Sequence, residues 1–216
     1  MIKIENVVTP SDKQWEAVIR GVRNPFNSWE KADSEWVLEH NTLYRKTLKI
    51  GEKDLTLMNR LANAGDDHGK FMRMLPVIVD ITAPFYWWKQ LDTYKIGTVS
   101  DSCSTMHTLT SRPFKEEDFS FDYGGEAVAK IFVDAFNEMW KLWYRAEGEE
   151  KQKLWYTINE MLPNCYNQKR TWSANYQTLK HIYHARKNHK LGEWHDFCDW
   201  IETLPYAKEL IIGEME

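Results

Sequence analysis

The sequence of 216 residues has little cysteine and no long apolar run. Its three cysteines, Cys103, Cys165 and Cys198, are an odd number without paired spacing, which favours a reducing compartment and argues against a disulfide framework. No run approaches the ~20 apolar residues that span a bilayer. The opening MIKIENVV has no apolar core of signal-peptide length. We therefore expect a cytoplasmic protein that has no membrane partner.

An excess of basic residues is also missing. The chain has 28 Lys and Arg against 32 Asp and Glu, a formal net charge of −4, and its basic residues form no long run. This balance gives no sign of a nucleic-acid partner.

Metal-binding spacings such as HExxH and CxxC are absent as well. Four histidines and a glutamate do cluster near the C-terminus: His181, His184, His189, His195 and Glu193. His181 and His184 share a helix face, but a metal needs further convergent donors, so we expect no metal site.

Aromatic residues are abundant, at 14% with 11 Trp, which a disordered chain would not show. The length is sufficient to bury a sizeable core. Because we find no internal repeat, low-complexity tract or linker, we expect a single domain over residues 1–216.

The hydrophobic pattern indicates an α+β organisation. Ile2–Val8 alternates as a strand does, and Ser11 with Gln14 is a capping box for a helix to about Val22. Residues 77–81 are β-branched and predict a strand, after which Pro84 suits the first turn of a helix. Further helices are predicted over 55–65, 127–144, 154–161, 171–188 and 193–204.

The most informative segment is TAPFYWWKQLDTYKIGTVSDSCSTM, residues 82–106. A bulky apolar stretch precedes Gln90, and a loop of small polar residues runs from Gly97 to Thr105. Such a loop offers many hydroxyls and backbone N–H groups, which suit a pocket for a polar ligand. Ordinary surface loops have the same composition, so composition alone does not decide between the two.

The segment resembles the signature of the flavin-dependent thymidylate synthases. In that family a Gln is followed after two residues by Arg-His-Arg, and then by a loop x-x-Ser-x-Asn-Glu-x-Ser-x-Arg-Tyr. Gln90 matches the Gln, and Thr93, Tyr94 and Lys95 fall on Arg-His-Arg. The loop positions are taken by Thr98, Ser100, Asp101, Cys103, Thr105 and Met106.

Two further motifs align in the same order. Upstream, Ala83-Pro84 matches an Ala-Pro of the family, and His68 falls on a family His. The downstream matches are Leu162, Pro163, Trp172, Asn175, Leu179 and Arg186. Together the motifs cover about half the chain, and they imply the family's α+β fold, with helices packed on a small mixed or antiparallel sheet.

The resemblance also implies roles for these residues. Gln90 and Arg186 would contact a nucleotide substrate, and Arg186 would polarise its base as the catalytic residue. The remaining substrate-binding candidates are Asp101, Ser102, Cys103, Ser104 and Thr105. The candidates for binding FAD are His68, Thr93, Tyr94, Lys95 and Asn175, with Lys70 and Arg73 as displaced positive charges. The alternative for Lys70 and Arg73 is an exposed helix face.

The phosphate side departs from the family. Positions at which arginines grip the substrate phosphate hold Thr93, Thr105 and Asn159, which bring no charge. This substitution puts dUMP itself in question as the substrate. We expect Cys103 to be a small pocket-lining residue, since the family needs no nucleophilic thiolate.

The leading hypothesis is an enzyme that uses FAD to transfer a one-carbon unit or a hydride to a pyrimidine nucleotide or related base. NADPH and methylenetetrahydrofolate are implied by the resemblance alone, as is a homotetramer whose subunits share each site. The alternatives are a catalytically inactive ligand-binding protein and a structural protein on the same fold, encoded by a phage or mobile element.

Overall fold

A computed structural model describes residues 2–38, 44–122 and 124–213, and it confirms the α+β organisation. The strands are β1 (Lys3–Val8), β2 (Glu35–Leu38), β3 (Lys46–Lys49), β4 (Pro76–Pro84), β5 (Val99–Ser102) and β6 (Asn167–Asn175). The helices are α1 (Asp12–Arg23), α2 (Glu52–Ala62), α3 (Phe85–Leu91), α4 (Thr105–Thr108), α5 (Glu126–Arg145), α6 (Gly148–Glu160), α7 (Tyr176–Arg186) and α8 (Gly192–Glu202). Helical turns lie at Asn24–Phe26, Trp29–Lys31, Gly69–Met74, Glu116–Asp118 and Lys208–Ile212.

Four strands form one sheet in the order β1-β4-β6-β5, and β2 and β3 form a separate antiparallel pair. In that pair Glu35 is opposite Lys49, and Leu38 is opposite Lys46. The pair was not predicted, because four-residue strands are too short to show a distinct period. None of the described helices has the length and apolar character that a bilayer crossing requires.

The chain divides into two compact units. The first takes its described residues from 1–5, 80–93 and 100–171, and the second from 6–79, 94–99 and 172–216. The expectation of a single domain over 1–216 stays a prediction.

The first unit has an aromatic core beneath α5. Six buried side chains form it: Leu109, Phe114, Phe119, Val133, Phe136 and Ile158. The apolar stripe of α5 was predicted, and the helix lies where the pattern placed it. α6 begins six residues before the predicted Leu154, at Gly148, with Glu149 and Glu150 in its first turn, where negative charge suits the helix dipole.

In the second unit, α1 and α7 both pack on the helical turn Gly69–Met74. The predicted capping box is present, since Gln14 N lies 3.4 Å from Ser11 Oγ and the Gln14 side chain accepts from Ser11 N at 2.8 Å. Trp15 is buried edge-on to Tyr176, with ring centroids 5.7 Å apart. The ring contact joins α1 to the first residue of α7, the helix that ends at Arg186.

Three local predictions were wrong. The helix predicted over 171–188 starts only at Tyr176, because alternate burial of Trp172 and Ala174 extends β6 to Asn175. Part of the loop predicted at 97–105 is strand β5. Pro84 is the N-cap of α3 rather than a residue of its first turn.

Candidate functional site

Each unit gathers its own share of the predicted site residues. The first unit holds Gln90, Thr93, Asp101, Ser102, Cys103, Ser104 and Thr105. The second holds His68, Lys70, Arg73, Tyr94, Lys95, Asn175 and Arg186.

Arg186, the last residue of α7, is held by two aromatic rings. Its Nε donates to the Tyr94 hydroxyl at 2.9 Å. Its guanidinium carbon lies 4.8 Å from the ring centroid of buried Trp194 and 5.5 Å from that of Tyr94. Contacts of this kind orient the guanidinium. Within the part of the chain that the structure describes, its two Nη groups make no hydrogen bond, so they remain available as a fork of donors.

The charge of Arg186 also acts on a neighbour. Burial lowers the pKa of His189, and the positive Arg186 lowers it further. His189 is thereby kept neutral at neutral pH, and its Nδ1 accepts from Leu191 N at 3.1 Å.

The residues after Tyr94 are tied to the start of α7. The Thr178 hydroxyl donates to the Ile96 carbonyl at 3.0 Å, and Asn175 Oδ1 caps the helix by accepting from Thr178 N at 3.0 Å. Gly97 has φ +72° and lies so close to Asn175 that a side chain there would collide with it. Residues 94–97, which include Tyr94 and Lys95 of the match to Arg-His-Arg, therefore contact α7 near both of its ends. The side-chain oxygen of Asn175 is used to cap that helix.

Arg73, which we predicted as a positive charge for FAD, has a side-chain partner in α7. Its Nε donates to Gln177 Oε1 in α7. The buried Gln177 amide also interacts with Asp66, and this contact helps to lower the pKa of that carboxyl. Sequence reasoning missed Gln177, because only its spatial position beside Arg73 distinguishes it.

Asp66 also contacts α7, through the side chain of His181. His181 Nε2 lies 3.0 Å from Asp66 Oδ1, and that hydrogen bond is the main reason why the pKa of Asp66 is lowered.

His68 and Lys70 line one cavity of about 570 Å³, and both are exposed. Its walls are mainly apolar, with Phe26, Phe71 and Met74 among them. We refer to it as the His68 cavity. An apolar, aromatic cavity suits a flat molecule, and the Lys70 ammonium, opposed by the Asp67 carboxylate, is the cationic group in its lining. Lys95 is exposed and has no hydrogen bond or ion pair with the described residues.

In the first unit, Gln90 is half-buried in α3, and its carbonyl accepts from the Thr93 hydroxyl at 2.7 Å. The same unit holds a cation, Arg170, that the motif comparison did not include. Arg170 lies with its guanidinium carbon 4.2 Å from the Trp88 ring centroid, and its Nη1 contacts Asp92 at 2.8 Å. Arg170 is the functional candidate that sequence reasoning missed, since nothing in its local pattern marks it.

The loop from Asp101 to Thr105 is held at its centre. Cys103 N donates to the Lys169 carbonyl at 2.9 Å, and Gln168 Nε2 donates to the Cys103 carbonyl at 2.8 Å. Asp101 and Ser102 are exposed, while Ser104 and Thr105 are half-buried. The loop therefore combines a fixed backbone with accessible polar side chains.

Cys103 lines a cavity of about 300 Å³ in the first unit. Arg112 and Asp118 form a two-pronged ion pair in its wall, at 2.8 and 2.6 Å. Burial would raise the pKa of Asp118, but the hydrogen bonds from Arg112 and Lys115 N, together with the positive charges of both residues, outweigh burial and lower it. Burial raises the pKa of Tyr166, also in the wall, to about 12, so this phenol stays neutral.

The Sγ atom of Cys103 lies 3.5 Å from the hydroxyl oxygen of Thr108. Burial raises the pKa of Cys198 to about 11 and also raises that of Cys165. Those two thiols are protonated and unreactive at neutral pH.

Among residues 2–38, 44–122 and 124–213, no group of three or more His, Cys, Asp or Glu side chains could hold a metal ion. The histidines near the C-terminus have other partners. His184 Nε2 lies 2.9 Å from the Ile211 carbonyl, and His195 Nε2 lies 2.6 Å from the His189 carbonyl.

The fold defined by these elements is that of the flavin-dependent thymidylate synthases. One similar structure is that of thymidylate synthase X (ThyX) from Helicobacter pylori with FAD and dUMP, with a TM-score of 0.70 and 17% identity over 98% of this chain and 97% of that one. Another is that of flavin-dependent thymidylate synthase ThyX from Helicobacter pylori complexed with FAD and dUMP, with a TM-score of 0.69 and 18% identity over 100% and 99%. No protein-family model and no curated protein matches the sequence. The fold expected from the three motifs is thereby confirmed.

Proposed function

We propose that this protein is an FAD-dependent enzyme that transfers a one-carbon unit or a hydride to a pyrimidine nucleotide or a related base. The observation that carries the proposal is the setting of Arg186. It falls on the family position that contacts the substrate, on a chain whose fold matches along its whole length. Its guanidinium is oriented by Tyr94 and Trp194, while its Nη donors have no partner among the described residues.

Arg186 is the proposed catalytic residue. A fork of donors with a fixed plane suits the carbonyl edge of a uracil-like base. A positive charge held at that edge would withdraw electrons from the ring and stabilise negative charge that develops when a ring carbon is attacked. Gln90 would offer a donor and an acceptor to the same kind of base.

The residues of the second unit fit FAD, the cofactor in both similar structures. His68 and Lys70 line a cavity with aromatic walls in this unit. We propose that His68, Lys70, Lys95 and Asn175 hold FAD, with Thr93 and Tyr94 beside it, and with Arg73 acting through Gln177. When bound, FAD would supply the redox chemistry; the protein would bind and orient both partners.

The substrate would meet the loop of Asp101, Ser102, Cys103, Ser104 and Thr105. Because Thr93, Thr105 and Asn159 bring no charge, this set suits a base edge better than a phosphate dianion. NADPH and methylenetetrahydrofolate as reductant and one-carbon donor, and the cytoplasm as location, belong to the same proposal.

One experiment tests the proposal without assuming a substrate. We expect mass spectrometry of small molecules released from the purified, heat-denatured protein to detect FAD or a pyrimidine compound. The Arg186→Ala variant purified in parallel should lose the pyrimidine compound and keep the flavin. A wild-type protein that carries neither, even after growth with excess riboflavin, would favour a structural protein on this fold.

A homotetramer is part of the proposal, because in the family that the motifs resemble the active site lies between subunits. Multi-angle light scattering at micromolar concentration should give the mass of four 25.7 kDa chains. A monomer over the whole concentration range would leave the site incomplete and would contradict the enzyme.

A second candidate is a ligand-binding protein that has lost catalysis. The replaced arginines favour it, since a site with less charge stabilises a transition state less well. Binding of FAD and a base without turnover would distinguish it from the enzyme.

A further inference from the structure

The second unit contains a cavity of about 670 Å³ that no sequence motif marks. Its walls are the turns from Phe26 to Lys31 and one face of α2, and we call it the basic cavity. Sites for small molecules commonly measure ~300–1,000 Å³. The size therefore suits a ligand larger than a simple ion.

Positive charge dominates this cavity. Lys31, Lys53 and Arg60 line it and have no ion-pair partner among the described residues. Glu52 is the lining carboxylate whose charge opposes theirs. All three cations are exposed and so accessible to a ligand from solvent, and three cations against one carboxylate attract an anion.

The wall behind these cations is rigid. Buried Arg23 donates through Nε to Asp54 Oδ1 at 2.6 Å, so its own charge is neutralised. Asp33 accepts from the backbone N–H groups of Lys53 and Asp54 at 2.9 and 3.0 Å. The Asp33 carboxylate is therefore bound to backbone N–H groups of α2, and it forms no ion pair with the Lys53 ammonium. The turn that carries Lys53 is held in place before any ligand binds.

An aromatic ring stands beside the cations. Phe26 is 50% exposed, and the guanidinium carbon of Arg60 lies 5.8 Å from its ring centroid. Leu57 supplies a buried apolar surface in the same wall. An exposed ring next to unpaired cations suits a ligand that has both a flat ring and phosphates.

We propose that the basic cavity binds a nucleoside di- or triphosphate, with its phosphates on Lys31, Lys53 and Arg60 and its base on Phe26. This site goes beyond the proposed enzyme function. It shares Phe26 with the His68 cavity but none of the residues proposed to hold FAD.

The proposal is tested by calorimetric titration of ADP into the full chain. We expect saturable binding, which Lys53→Glu should weaken by at least roughly tenfold, because a charge-assisted contact becomes a repulsion. Lys153→Glu is the matched control. Lys153 is exposed on α6 outside the cavity, and its substitution changes the net charge by the same amount. It should leave ADP binding unchanged.

Further titrations separate the parts of the ligand and the two cavities. Phe26→Ala should weaken ADP more than inorganic pyrophosphate, and adenosine should bind far more weakly than ADP. Lys70→Ala, which alters the lining of the His68 cavity alone, should leave ADP binding unchanged. Absence of saturable binding at millimolar ADP, equal weakening by both charge variants, pyrophosphate as tight as ADP, or weakening of ADP by Lys70→Ala as strong as that by Lys53→Glu would each overturn the proposal. The ADP titration needs no flavin, so it is independent of whether the protein binds FAD.

Discussion

Replacing Arg186 with alanine is expected to abolish measurable binding of both dUMP and deoxyuridine. The substitution removes the fork of donors that Tyr94 and Trp194 hold in place. Hydrogen bonds to a charged group contribute about 1.5–3 kcal/mol each, so losing two weakens binding by at least roughly 100-fold. Calorimetry on wild type and variant measures this loss.

Two control variants make the result specific. Arg186→Lys keeps the charge but loses the planar fork, and should also bind weakly. Arg20→Ala removes an arginine with a 64% exposed side chain on α1 and should bind as wild type does. Equal binding by Arg186→Ala would remove Arg186 from the site.

The same titrations compare dUMP with deoxyuridine. Because Thr93, Thr105 and Asn159 carry no charge, we expect only a small preference for dUMP. Tight, phosphate-dependent binding would mean that other basic residues hold the phosphate, with Lys95 the first candidate.

Replacing Asp54 with alanine is expected to destabilise the fold by about 3–5 kcal/mol. The carboxylate is fully buried and accepts from Arg23 Nε at 2.6 Å, and from the Ser34 backbone and hydroxyl at 3.0 and 2.6 Å. Its loss leaves the Arg23 guanidinium buried without a counter-charge. Urea unfolding followed by tryptophan fluorescence measures the change in the free energy of unfolding.

Asp134→Ala is the matched control on another helix. Asp134 pairs with Lys130 at 2.9 Å, but both side chains are exposed, so the loss should be at most about 0.5 kcal/mol. If the two variants unfolded within about 1 kcal/mol of each other, the Arg23–Asp54 pair would not have the stabilising role that we assign to it.

Much of the fold could be predicted from local signals. Ser11 and Gln14 marked the start of α1, and the apolar stripe of α5 marked its whole length. The boundary between β6 and α7 was missed, because Asn175 ends a strand and caps a helix at once. A helical pattern that begins directly after a strand extends backwards into it, and only the alternate burial of Trp172 and Ala174 separates the two.

The site was less accessible to prediction. Motif order predicted Arg186 and Tyr94 as site residues, but it did not predict the hydrogen bond between them. Arg170 over Trp88, and the unpaired cations of the basic cavity, arise from contacts between residues far apart in sequence. A single sequence gives periodicity and spacing, whereas such contacts depend on how the elements pack.

FAD binding is the central part of the proposed function. The direct measurement is titration of FAD into apo-protein, followed by flavin fluorescence, for wild type and for a variant with Lys70→Ala and Lys95→Ala. We expect saturable binding by the wild type and weaker binding by the variant, since each lost charged contact costs about 1.5–3 kcal/mol. A wild-type protein that shows no saturable binding at high micromolar FAD would contradict the account.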